Sequence, residues 1–214
     1  GLTPRSSRAP TAKRQARAAV RVIICSAGLA FRRWVRLNSN VRPQIHTSMP
    51  LKICSHSDDH KAVIWNLYQL YCYETSIEDQ YDLEETGLYS LSAEYFSQYW
   101  TNPRWSAHVL RWNGVIAGFA LIEASEALDD AQELADLFVL KRYRRRGIAR
   151  DVALHFMAQR AVPWTVVVFD EAKDAQAFWE SMFKMSLLQP TRQVADPHDR
   201  PVTVHVLDPH RIAA

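Results

Sequence analysis

Residues 137–161 read LFVLKRYRRRGIARDVALHFMAQRA, and this stretch decides the fold. The apolar run LFVL closes ELADLFVL (133–140), which has the composition of a strand buried on both faces. Six cationic side chains then crowd residues 141–150 around Gly147-Ile148-Ala149. Beyond the glycine, Ile148, Val152, Leu154, His155 and Met157 recur at helical spacing. A strand running through a short basic turn into a helix is a natural anion site. The first amides of a helix lack intrahelical partners, and the helix dipole favours negative charge there. Gly147 and Ala149 are small where a backbone has to approach a pyrophosphate, and a Cβ at Gly147 would obstruct it. The arginines add charge-assisted hydrogen bonds. Neither GxxxxGK[ST] nor GxGxxG is present. A bare RxxGxA is equally a solvated basic turn; the strand–helix order around it favours a phosphate-bearing ligand.

Working outward, LKICSH (51–56) alternates as a strand. A helix follows an Asp-rich start in DDHKAVIWNLYQLYCYETSI, with Ala62, Ile64, Leu67, Leu70 and Tyr71 on one period. EDQYDLEETG reads as a loop ending at Gly87, and Ser92 as the N-cap of a short aromatic helix through Trp100. AHVLRWNGVIAGFALIEA is a hairpin turning at Asn113-Gly114. WTVVVFD (164–170) is a buried strand, DAQAFWESMFKM (174–185) an amphipathic helix, and VTVHVLD (202–208) a closing strand. The expected fold class is an α/β sandwich around a central mixed, mostly antiparallel sheet.

Charge is uneven: residues 1–57 hold eleven Lys and Arg and no Asp or Glu, so the rest is acidic although the chain totals +3. Residues 1–48 are expected to be a disordered basic arm: a transit peptide, a nucleic-acid or membrane-surface arm, or sequence upstream of a start at Met49. The functional domain is expected over 49–214. Three cysteines without a CxxC pair suit a reducing cytoplasm, and no His spacing suggests a metal. No apolar run reaches membrane-spanning length, so no membrane partner is expected. An acidic body repels phosphate backbones, so neither is a nucleic-acid partner.

LFVLKRYRRRGIARDVALHFMAQRA resembles the acyl-CoA-binding motif of the GNAT N-acetyltransferases, whose pattern is [RQ]-x-x-G-x-[GA]. ADLFVLKRYRRRGIAR with the downstream AFW resembles, more closely, a bacterial branch of predicted acetyltransferases. The resemblance covers about 49–185. It implies a GNAT-like fold with a splayed strand pair formed by ELADLFVL and WTVVVFD. It also implies acetyl-CoA as co-substrate, its pyrophosphate held by Arg144, Arg145, Arg146, Gly147, Ile148, Ala149 and Arg150. Leu137, Phe138 and Val139 would line the pantetheine arm, with Phe178 and Trp179 as its wall. The family often places Asn and Tyr where this chain has Ala172 and Trp179. An indole cannot act as an acid near neutral pH, which leaves the thiolate's proton to solvent or another tyrosine.

Acetyl transfer needs a base for the amine. Asp136 interrupts LADLFVL and is the first candidate, with pairing to an arginine such as Arg144 as the structural alternative; Glu133 is the second. His155 is expected at the core edge rather than as a base, and Cys72 packed in its helix. Between Lys61 and Arg104 lie seven acidic residues interleaved with tyrosines and no basic residue. That pattern suits either a solvated loop or a rim that draws in a cationic amine. The expected function is acetyl transfer from acetyl-CoA to a small, primary amine. A non-catalytic acyl-CoA-binding or regulatory domain is the alternative, and a homodimer stays open.

Overall fold

The computed structural model describes residues 22–23, 50–55, 57–79, 81–158 and 160–209. The remainder of the expected arm, including Cys25, lies outside the described residues. The strands are β1 (Val22–Ile23), β2 (Leu51–Ser55), β3 (Ser106–Trp112), β4 (Val115–Ala124), β5 (Gln132–Val139), β6 (Trp164–Phe169), β7 (Arg192–Val194) and β8 (Val202–Leu207). Among the described residues, four α-helices accompany them: α1 (Asp58–Asp79), α2 (Ala93–Thr101), α3 (Ile148–Met157) and α4 (Lys173–Phe183). No helix among the described residues is long and apolar enough to cross a membrane.

The sheet runs β2-β3-β4-β5-β6-β8-β7, with β1 paired to β5 off this path. All pairs are antiparallel except β5–β6 and β1–β5. Asn113 and Gly114 carry φ of 49° and 80°, the left-handed pair that a two-residue hairpin turn requires. At Gly118 the strands approach so closely that a Cβ would overlap the Phe138 carbonyl oxygen. Glycine is therefore obligatory in this otherwise apolar strand.

Strand alternation divides the core between two faces. On one, Val109, Phe119, Leu121 and Phe138 pack against Ile64, Leu67 and Tyr71 of α1 and Phe96 and Tyr99 of α2. On the other, Ala120, Ile122, Leu137 and Val166 meet Val152 and Met157 of α3 and Trp179 of α4. Ser92 caps α2, its side chain accepting from the Tyr95 amide, as read from the sequence. The buried stripe of α1 is Ile64, Leu67, Tyr71, Cys72 and Thr75. Ala62 and Leu70, expected on that stripe, face solvent, because the buried arc is centred on Ile64 and Tyr71, two turns apart. His155 is likewise exposed rather than at the core edge, since Ala149 and Ala153 fill the buried side of α3. The short β7 has no counterpart among the expected strands.

Two irregularities shape the functional end. Leu121 of β4 faces Asp136, but the next residue, Ile122, faces Leu134, so Ala135 is an extra residue in β5. Strands β5 and β6 pair only at Gln132–Trp164 and Glu133–Thr165. Past Glu133 they diverge, giving the splayed pair.

Candidate acyl-CoA site

Gly147 (φ 81°) precedes α3 as its N-cap and, having no side chain, offers no cap to the amides of Ile148, Ala149 and Arg150. Arg145 also adopts positive φ, 62°. Two left-handed residues in three turn the chain sharply from the basic turn into the helix. A cavity of about 530 Å³, counted out to open solvent, lies against this turn. Val139 forms its strand side, Gly147, Ile148, Ala149 and Arg150 its helix side, and Phe178 of α4 its far wall. Arg145 also reaches the cavity, whereas Arg146 is exposed and outside its lining. A Cβ on Gly147 would press on the Arg150 guanidinium at 3.2 Å.

Arg144 takes a different place from its neighbours. Its side chain is 4% exposed; Nε donates to the Val139 carbonyl at 2.6 Å and Nη2 to Glu74 Oε2 at 2.6 Å. Nη1 is buried with no hydrogen-bond partner, and the guanidinium lies 5.8 Å from the Phe138 ring centroid. Arg144 also lines the cavity. The arginine suggested as the partner of Asp136 thus belongs to Glu74, a residue expected on the acidic rim. Spacing could not reveal this pair, because seventy residues separate its members.

Phe178 and Trp179 part company. Trp179 is 1% exposed and stacks on Phe183 at 5.6 Å. It lines a separate cavity of about 610 Å³ with Gln176 and His205. Leu137 is fully buried towards α3 and α4, and Phe138 towards α1, in contact with Tyr71.

The extra residue Ala135 brings Glu133 and Asp136 onto one face of β5, although three positions separate them. That face looks to α1 and α2. Asp136 is 2% exposed; burial and then its charge raise the Tyr68 hydroxyl pKa, while for Tyr99 burial and the charge of Glu123 come first and Asp136 adds to them. Glu133 is half-buried at the last rung of β5–β6 pairing, where its Oε2 accepts from Thr165 Oγ1 at 3.1 Å. Burial, and then the charge of Glu123 opposite, push its carboxyl up to about 8 against the lowering bond from Thr165. Glu123, directly across on β4, accepts hydrogen bonds from the hydroxyls of both Tyr95 and Tyr99. Sequence reasoning passes over Glu123, yet it interrupts an apolar strand (FALIEA) just as Asp136 does.

These features fit a diphosphate-bearing ligand: uncapped helix amides, exposed cations at the rim, a glycine that a Cβ would crowd, and an unsatisfied buried guanidinium N–H. Together with the splayed sheet they define an acyl-CoA N-acyltransferase fold. The acetyltransferase (GNAT) domain model matches residues 74–187, more than half of the chain. The chain belongs to the GNAT acetyltransferase family. An acetyltransferase from Thermus thermophilus shares 17% identity and a TM-score of 0.54, covering 75% of this chain and 97% of its own. One from Streptococcus agalactiae, also 17% identical, reaches 0.50 over 75% and 99%. The protein yncA of Salmonella typhimurium, solved with its cofactor acetyl-CoA, is 14% identical with a TM-score of 0.51 over 78% and 98%. At these identities the likeness is one of fold. No curated protein sequence matches the chain.

Proposed function

We propose that this chain transfers an acetyl group from acetyl-CoA to the primary amine of a small cationic acceptor. The observation that carries the reading is the uncapped start of α3 opening on a cavity beside the splay of β5 and β6. Amides of residues 145–150 would receive the pyrophosphate, with Arg145 and Arg150 at its rim, and Phe178 would wall the pantetheine arm. When bound, acetyl-CoA supplies the thioester from which the acetyl group leaves: a C–N bond forms and the C–S bond breaks.

Glu133 is the stronger candidate for base, ahead of Asp136. It stands where the strands part, and a carboxyl held near 8 accepts a proton readily at mildly alkaline pH. Asp136 lies on the same face among tyrosines and is the second candidate. Position 179 is a buried indole, so the leaving thiolate takes its proton from solvent or from another tyrosine, Tyr143 being one that lines the cavity. Opposed carboxylates at Glu123 and Glu133 favour a cationic acceptor, such as a polyamine, an amino sugar or a lysine-like amine. A small-molecule acceptor in a cytoplasmic setting, with the chain as monomer or homodimer, is compatible with this reading.

The test is acetyl-CoA with an amine panel, following CoA release with a thiol reagent. Saturable, amine-dependent release supports the reading. Acetyl-CoA binding without release for any amine would leave a non-catalytic binder and defeat it.

A further inference from the structure

We propose that the open edge of β5 in the splay is a strand-docking site held by the chain's own Val22–Ile23, and that this segment and the pantetheine arm exclude one another. The inference rests on the acyl-CoA reading above. Leu137 and Phe138 are paired on both sides: with Ala120 and Phe119 of β4, and with Val22 and Ile23 of β1 in parallel register. Since β4 covers one edge, β1 must lie on the other, the edge that β6 abandons after Glu133. β1 also lies against α4, whose Phe178 walls the cavity. The backbone of Val22–Ile23 therefore runs along the edge of β5 that β6 leaves open.

A strand edge carries unsatisfied main-chain donors and acceptors, and an extended segment satisfies them by augmentation. The amide-bearing pantetheine arm would draw on the same groups of Leu137–Val139. One backbone cannot bond both partners, so affinity for acetyl-CoA is reduced by the fraction of molecules in which β1 is docked. Two β-branched residues suit such docking, because they lose little on becoming extended.

The experiment compares the full-length chain with its Val22→Pro/Ile23→Pro variant. Proline removes the main-chain N–H and cannot join a ladder. Calorimetry should show acetyl-CoA binding the variant at least about 5-fold more tightly, as expected for losing a competitor held by roughly two main-chain bonds. A synthetic peptide of residues 18–24, AAVRVII, should reverse the gain, whereas its proline-substituted form should not. In the unaltered protein, hydrogen exchange at residues 22–23 should speed up when acetyl-CoA is added, a readout that does not depend on the variant folding. Equal affinities, an inert peptide or unchanged exchange with acetyl-CoA bound would each overturn the docking inference and leave the acyl-CoA reading standing. Absence of acetyl-CoA binding by both proteins would sink that reading and the inference with it.

Discussion

Gly147→Ala gives the sharpest measure of the site, because the structure supplies its own control in Gly87. Both glycines hold a left-handed φ, 81° and 75°, so alanine at either should cost about 1 kcal/mol of backbone strain. For a domain of this size that corresponds to a melting shift of roughly 2–4 °C. Their surroundings differ. Nothing lies within 4 Å of a Cβ at Gly87, whereas at Gly147 it would push on the Arg150 guanidinium at 3.2 Å and displace it from Asp151, its partner at 2.8 Å. If relaxing that turn costs one charge-assisted bond from a helix amide to phosphate, worth about 1.5–3 kcal/mol, acetyl-CoA affinity should fall by about 10- to 100-fold. Gly87→Ala should match the melting shift and leave affinity within about 2-fold of the unaltered protein. Thermal melts with calorimetric titration of acetyl-CoA read both quantities. Gly147→Ala binding as tightly as the unaltered protein, or Gly87→Ala weakening binding equally, would refute the assignment of the pyrophosphate to this turn.

Glu133→Gln should keep the Thr165 bond and acetyl-CoA affinity while lowering kcat by roughly 100-fold. The unaltered enzyme's kcat/KM should rise with pH to a plateau above about 8, because the base acts when deprotonated; a flat profile would exclude it. The same raised pKa makes folding stability fall as pH climbs from the ordinary carboxylate range through about 8, since the unfolded chain ionises first. Melting curves of Glu133→Gln across that window should lose this slope. Glu74→Gln leaves Arg144, 4% exposed, without its carboxylate and should cost about 3 kcal/mol by denaturant unfolding, while Glu84→Gln on the exposed loop should cost almost nothing. Gly118→Ala drives a Cβ into a backbone oxygen that cannot move aside, and should destabilise by about 3 kcal/mol or more or prevent soluble expression.

Much of the fold is legible locally. Asn113-Gly114 declares its hairpin, Ser92 its helix, and the passage from Leu140 to Gly147 its strand–turn–helix, because each depends on residues adjacent in sequence. What escapes the sequence is long-range or a matter of register. The basic turn shows its charge, but not that Arg144 turns inward to Glu74 while Arg145 and Arg150 stay at the rim. The carboxylates of β5 are visible as interruptions of an apolar run; their common face is not, since strict alternation places Glu133 and Asp136 on opposite sides. Glu123 becomes significant only once two tyrosines from α2 converge on it. The pairing of Val22–Ile23 with β5 joins segments more than a hundred residues apart, and no local pattern marks it.

The added residue at Ala135 has a consequence for how this strand tolerates change. Replacing Ala135 by another small side chain leaves the spacing intact. Deleting it would leave Asp136 opposite Leu121, Leu134 opposite Ile122 and Glu133 opposite Glu123, so the carboxylates would keep one face. A residue added to β4 between Leu121 and Ile122, opposite Ala135, would instead turn Glu133 and Glu123 together towards the layer of α3 and α4. Here the difference in length between two paired strands is itself a chemical specification, and a chain longer by one residue of β4 would lose its proton acceptor by geometry alone.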